Sequence, residues 1–251
     1  MIFIKALKNL KSFNLILILL FNLPQTVSAA NYTIGVEKLD YLPYYSIKNK
    51  QYIGFARDLF DQFAKDKNHT ITYQPLPVSR LIHALINKTI DAKFPDNPNW
   101  KKNLKQNHNI LYTQPVVSYT DGIMVTANNL QLDSHQFKKI GTIRGFTPWV
   151  LLDDVNNGKI QLFEQNNIHS LINKTLVGRL DGSFINIATA KYFLKYSQHS
   201  SNALVFNPKL KKTTDYYYLS SAKQPQLIEE FNLWLQFNSE FHQSLLKKWD
   251  L

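Results

Sequence analysis

Lys93, Asp96, Asn97 and Trp100 stand on one short stretch, Lys93-Phe-Pro-Asp-Asn-Pro-Asn-Trp100. An ammonium, a carboxylate, an amide and an indole at that spacing can grip a zwitterion, a peptide or a sugar-like solute. Charges pair with charges, and the ring offers a flat apolar face. The same stretch has a plainer reading as a turn. Asp-Asn-Pro is common turn chemistry, and Pro95 and Pro98 stiffen the loop it would form. Its position speaks for binding: it follows a strand-like run, Ile90 to Phe94, and ligands of open α/β sheets sit outside the carboxyl ends of strands.

A second constellation is Arg144-Gly145-Phe146-Thr147, directly before Pro148. Thr147 reads as an N-cap and Pro148 as the first helical residue, where a missing N–H costs nothing. A helix N-terminus offers free N–H groups and the positive end of a dipole. With the Thr147 hydroxyl and the Arg144 guanidinium it would take a carboxylate or a phosphate; the alternative is an ordinary capped helix. Arg80, at the start of another predicted helix, is a candidate for bidentate carboxylate binding or else a solvated surface residue. Tyr41, Tyr44 and Tyr45 share a loop and can stack on a ligand or pack into the core; Tyr119 has the same two readings. Tyr216-Tyr217-Tyr218 reads as strand filling.

Other chemistries lack their residues. There is no cysteine, so no thiolate ligand and no thiol nucleophile. The seven histidines are scattered singly and none has His-x-x-x-His spacing, so no metal site is expected. Neither a Gly-x-Ser-x-Gly elbow nor a Walker loop occurs. No carboxylate pair looks suited to acid–base work. We expect no catalytic residue and no cofactor.

The elements that must position these groups alternate strand-like and helix-like patterns, the mark of an α/β chain. Tyr32 to Val36, Thr70 to Gln74 and Ile90 to Phe94 read as strands. Gly54 to Lys65 and Val78 to Ile86 read as helices, with Phe55, Leu59, Phe60 and Phe63, then Leu81, Ile82 and Leu85, at helical spacing. Val116 to Thr126 contains a strand leading out of this unit. A second unit repeats the order, with strands at 139–143, 160–163 and 180–185 and helices at 168–177 and 188–196. The chain returns through strands at 203–206 and 216–219 and ends in a long helix from about Pro225 to Trp249. Leu85-Ile-Asn-Lys-Thr89 and Leu171-Ile-Asn-Lys-Thr175 are an internal echo: each reads as a helix with a polar exit before a strand that begins with Asp.

The first thirty residues place the protein. Lys5, Lys8 and Lys11 precede an apolar run, Leu15 to Phe21, then Pro24 and a small-residue end, Val27-Ser28-Ala29-Ala30. This is the pattern of a secretory signal peptide, residues 1–29, cleaved after Ala29 or Ala30. The alternative is an uncleaved anchor, but the run is shorter than the roughly 20 apolar residues that cross a bilayer. Without cysteine there is no thioether lipid anchor. The whole chain carries 29 basic and 18 acidic residues, and three of the lysines fall in the leader. The exported part is therefore basic, which suits anionic solutes or simply a solvated surface. Nucleic acid is not an expected partner outside the cytoplasm.

Laid in order, the segments resemble the bacterial extracellular solute-binding proteins of family 3. "YTIGVEKLDYLPYYSIKNKQYIGFARDLFDQFA" is similar to that family's first strand, aromatic–Pro–Tyr loop and first helix. "PVSRLIHALINKTIDAKF" resembles its second helix and third strand, and "YTQPVVSYTDGIMV" its crossover. "IGTIRGFTPW" resembles its lobe-two turn, "GRLDGSFINIATAKYFL" its late strand and helix, and "FNLWLQFNSEFHQSLLKKW" its terminal helix. The likeness runs through residues 31–251.

The resemblance implies a two-lobed periplasmic-binding-protein-like II fold, each lobe a mixed sheet flanked by helices, joined by a two-strand hinge near Ser118–Thr120 and Thr213–Tyr216. Lobe one would be residues 31–118 plus 216–251 and lobe two 119–215, closing over a solute in the cleft. It implies a monomeric periplasmic receptor for a small polar or anionic metabolite, feeding an inner-membrane ABC permease. Two departures matter. The family's carboxylate-binding Arg is absent from the stretch 93–102. The family's ammonium-binding Asp falls at Asn186, a weaker partner for a cation. Two alternatives remain on the same fold: a periplasmic dehydratase of prephenate-like acids, with Asp96 as its acid, and a solute-sensing partner of a membrane receptor.

Overall fold

A computed structural model describes residues 29–197 and 200–251. The predicted signal segment lies, but for its last residue, outside the described residues. Strands β1 (Asn31–Glu37), β4 (Thr70–Leu76) and β5 (Ala92–Asp96) are parallel. A hairpin of β2 (Ser46–Lys48) and β3 (Gln51–Ile53) precedes helix α1 (Phe55–Asp66), and α2 (Val78–Ile86) links β4 to β5. Helix α1 buries Phe55, Ala56, Leu59, Phe60, Phe63 and Ala64, and α2 buries Leu81, Ile82 and Leu85. Their apolar spacing therefore does pack one face of each helix onto the sheet.

After a short helix α3 (Lys102–Lys105) and strand β6 (Leu111–Tyr112), strand β7 (Val117–Val125) carries the chain into lobe two. There β8 (Lys139–Ile143), helix α4 (Leu152–Asn156), β9 (Gln161–Gln165), helix α5 (Ile168–Leu176), β10 (Gly182–Asn186), helix α6 (Ile187–Tyr196) and β11 (Val205–Phe206) follow. Strand β12 (Thr213–Ser221) leads back to helices α7 (Pro225–Phe237) and α8 (Ser239–Trp249). One curled sheet runs in the order β4-β1-β5-β12-β7-β10-β8-β9. Each lobe thus sets its second, first and third strands side by side and adds a long antiparallel strand, β12 in lobe one and β7 in lobe two. Strands β7 and β12 pair with each other over Val117–Asp121 and Thr213–Tyr217. They form the two-strand hinge of an α/β periplasmic-binding-protein-like fold.

Three readings of the sequence need correction. The pentapeptide echo is out of phase: Leu171–Thr175 lies inside α5, whereas Leu85–Thr89 straddles the end of α2. The pairing of Asp91 with Asp181, each just before its strand, does hold. The Asp91 carboxylate accepts from Thr33 N at 2.7 Å, and that of Asp181 accepts from Lys138 N and Lys139 N at 2.8 and 2.7 Å. The terminal helix is two helices, broken at Asn238, whose side-chain amide and backbone N–H both donate to Trp234 O. Such local bonds compete with the helical ladder. Thr147 is no helix cap: a 3₁₀ turn, Trp149–Leu151, precedes α4, and its N-cap residue is Pro148, without a side-chain cap.

Candidate binding cleft

The carboxyl ends of β1 and β5, with the middle of β7 and the first half of β12, face the lobe-two turn after β8 across a cleft. From lobe one its wall includes Glu37, Tyr45, Val78, Lys93, Asp96 and Trp100. From lobe two and the hinge come Asp121, Gly145, Phe146, Thr147, Thr213 and Tyr217. The lobes already touch. A Cβ placed on Gly145 (φ +91°) would lie 3.2 Å from Val78 Cβ, and the Tyr41 and Phe146 rings meet edge to face at 5.5 Å.

Asp96 is the centre of the lobe-one wall. It is fully buried. Its Oδ1 accepts from Lys93 Nζ at 3.0 Å, Lys105 Nζ at 2.7 Å and Asn97 N at 2.8 Å, and its Oδ2 accepts from Ser220 Oγ at 2.7 Å. Burial alone would raise its pKa, but the two ammonium groups outweigh it and hold the carboxyl below the usual range. Burial pushes Lys105 down to about 8 against the pull of Asp96. Lys93 also donates to Pro95 O at 2.5 Å and lies 5.5 Å from the Trp100 ring centre, a cation–π contact. Both lysines are thus committed within the protein.

Two other carboxylates face the cleft with less support. Glu37 ends β1, is buried and accepts from Tyr45 OH. Burial lifts its pKa to about 7 against the opposing pull of Lys93. Asp121, on β7, is likewise raised to about 7 by burial. A hydrogen bond from the Asn186 side chain lowers it and the charge of Glu37 raises it further.

Of the other residues singled out in the sequence, Asn97 is fully buried, donates to Tyr216 O at 2.9 Å and accepts from Asn99 N at 2.9 Å. It holds the turn and does not line the cleft. Tyr41 is buried behind Tyr45, and its hydroxyl accepts from Asn186 N at 3.3 Å. Tyr119 stacks on Tyr217 at 4.4 Å and lines a groove behind the hinge. Arg80 is exposed and absent from the cleft wall. Arg144 is 65 % exposed and pairs with Glu164 at 3.6 Å, outside the cleft. Asn186 is buried, caps α6 through Thr189 N at 3.0 Å and donates to Tyr44 OH at 3.4 Å.

Glu37, Asp121 and Thr213 were not singled out in the sequence. Glu37 had a signal, since it follows the strand-like run Tyr32 to Val36 just as Asp96 follows Ile90 to Phe94. Asp121 is the one charged residue of strand β7 (Val117–Val125), a costly placement for a half-buried strand unless it is used. Among the described residues no group of three or more His, Cys, Asp or Glu is placed to hold a metal ion.

The model of the bacterial extracellular solute-binding proteins, family 3, matches residues 32–249. No curated protein matches the sequence. Among solved structures, an arginine third-transport-system periplasmic binding protein from Legionella pneumophila superposes with a TM-score of 0.69 at 19 % identity, covering 88 % of this chain and 100 % of that one. A histidine kinase sensor domain similar to periplasmic binding proteins gives 0.72 at 16 %, covering 87 % and 95 %. An ancestral amino acid-binding protein, AncCDT-1, a precursor of cyclohexadienyl dehydratase, gives 0.67 at 20 %, covering 87 % and 95 %. At these identities the likeness is one of fold.

Proposed function

The chain belongs to the bacterial extracellular solute-binding proteins, family 3, and on that footing we propose that it is an exported, monomeric receptor. It captures a small polar solute between lobe one (31–118 plus 216–251) and lobe two (119–215) and delivers it to an ABC-type permease. The leader of residues 1–29 fits export to the periplasm, and among the described residues no helix is long and apolar enough to cross a membrane. The observation that carries the reading is the two-sided cleft: Trp100, Tyr45 and Lys93 on one bank, Phe146 and Thr147 on the other, charged groups at its base. Such a mix of apolar wall and few polar groups is what small-molecule sites use.

Thermal-shift screening against a metabolite library tests it. At a ligand concentration of about 100 Kd, binding adds about 2.7 kcal/mol. For a chain of this size that raises Tm by roughly 5–11 °C. Folded protein that responds to no solute contradicts the proposal.

The dehydratase alternative has one observation in its favour. Glu37, raised to about 7, is a carboxyl that holds a proton near neutrality and faces the cleft, the condition for a general acid. Asp96, saturated by donors and held ionised, does not suit that role. Incubation with prephenate and arogenate decides: aromatic product supports it and no turnover removes it.

A further inference from the structure

Two polar atoms at the base of the cleft have no partner. Asp121 Oδ1 and Thr213 Oγ1 are both buried without a hydrogen bond. The two residues sit directly opposite each other on the hinge strands β7 and β12, and both line the cleft. Thr213 is only 5 % exposed. A buried carboxylate oxygen left unpaired is costly, and the surroundings give it no cation. Lys93 and Lys105 are bound to Asp96, Arg144 pairs with Glu164 outside the cleft, and Arg80 is exposed and off the wall. Lys101 is the remaining basic residue of the wall and is exposed. Glu37 adds a second carboxylate to the same buried space.

We infer that the solute is an organic cation whose ammonium or guanidinium N–H groups are accepted by Asp121 and Thr213 on the hinge strands, with Glu37 as the second anion. This rests on the solute-binding reading above and narrows it. An N–H donor at this place satisfies Asp121 Oδ1 and Thr213 Oγ1 at once. It also ties the ligand to the two strands about which the lobes turn. The aromatic wall of Trp100, Tyr45, Tyr217 and Phe146 suits the apolar body of such a molecule and supports the cation itself. A solute anchored by a carboxylate would instead meet Glu37 and Asp121, with Lys93 and Lys105, the buried basic groups of the wall, already paired with Asp96.

The test is calorimetric titration of the whole exported protein with agmatine and putrescine, which are cations without a carboxylate, and with succinate and glucose. The expected result is saturable binding of a cation and none of succinate or glucose. Asp121→Asn should weaken the cation by about 10- to 100-fold, the worth of one charge-assisted hydrogen bond. Thr213→Val should weaken it less. Asp121→Asn should leave Tm unlowered, because it removes a buried charge. Succinate or glucose binding that ignores Asp121→Asn overturns the cation inference and leaves the receptor reading standing, as does cation binding that ignores it. If none of the four probes binds while a wider metabolite library yields a ligand without a cationic group, the inference again falls alone. Silence from the whole library overturns both.

Discussion

Asp96→Asn probes the frame that holds the cleft. Asp96 has a side chain 1 % exposed and accepts from two ammonium groups, one hydroxyl and one backbone N–H. Asparagine keeps the shape but loses the charge. Its amide oxygen can replace Oδ1 and its NH₂ can turn to Ser220 Oγ, which can accept, but no negative charge remains, so Lys93 and Lys105 are left in the interior with reduced compensation. Removing one partner of a buried ion pair costs about 3–5 kcal/mol. At about 2–4 °C per kcal/mol for a chain of this size, Tm should fall by roughly 6–20 °C. The assay is calorimetric melting at neutral pH, with Ser220→Ala as a companion that removes one neutral donor and should cost about 1 kcal/mol. An Asp96→Asn protein melting within about 2 °C of the parent would refute the claim that this carboxylate is the paired centre of the lobe-one wall.

Protonation sets a second expectation. Glu37 and Asp121 have folded pKa values raised to about 7 from 4.5 and 3.8. The folded protein therefore holds protons that the unfolded chain has released, and stability falls as pH rises from about 4 to about 7. The loss is at most about 3–4 kcal/mol for each group. Asp96 and Asp91 are lowered instead, so their contribution is present above about pH 4 and is lost as pH falls through their folded values. Urea denaturation of the ligand-free protein across pH should show a maximum in mildly acid solution, and the fall toward pH 8 should shrink in Asp121→Asn. A flat profile from pH 5 to 8 would contradict the buried placement of both groups. Gly54→Ala should destabilise by about 2–4 kcal/mol: φ is +111° and a Cβ would lie 2.8 Å from Tyr45 Cα and 2.9 Å from Tyr44 O. Near-native stability in denaturant would show that the aromatic loop can give way.

Periodic signals made the lobes legible. The helical spacing of Phe55, Leu59, Phe60 and Phe63 corresponds to a buried face, and the paired hinge strands cross where the resemblance put them. Local chemistry was less legible. The hairpin of β2 and β3 turns on Asn49 and Lys50, both with positive φ (51° and 64°), and Lys in place of the usual Gly hides it. Thr147-Pro148 carries a helix-start signature, yet Thr147 O accepts from Trp149 N and Pro148 O from Leu151 N, so a tighter turn precedes the helix. In the cleft, Lys93, Asp96 and Trp100 come together as a wall, but the ion pairs among them could not be read from residue types. Arg80 and Arg144 look like anion ligands in the sequence because side-chain direction is not written there. Asp121 and Thr213 become a pair only through the register of two strands that lie far apart in the chain.

Closure of the lobes over the solute is tested most directly by locking them. The chain has no cysteine, so Val78→Cys with Gly145→Cys forms one defined pair. The Cβ positions, 3.2 Å apart, are a few tenths of an ångström short of the 3.5–4.5 Å of a disulfide, and a cysteine at position 145 also carries the strain of φ +91°. Binding of the solute found in the thermal screen is then measured with the pair oxidised and reduced. The account predicts that protein oxidised without solute takes up none, that reduction restores binding, and that protein oxidised with solute keeps it through dialysis. Identical binding by the oxidised and reduced forms would contradict a site between closing lobes.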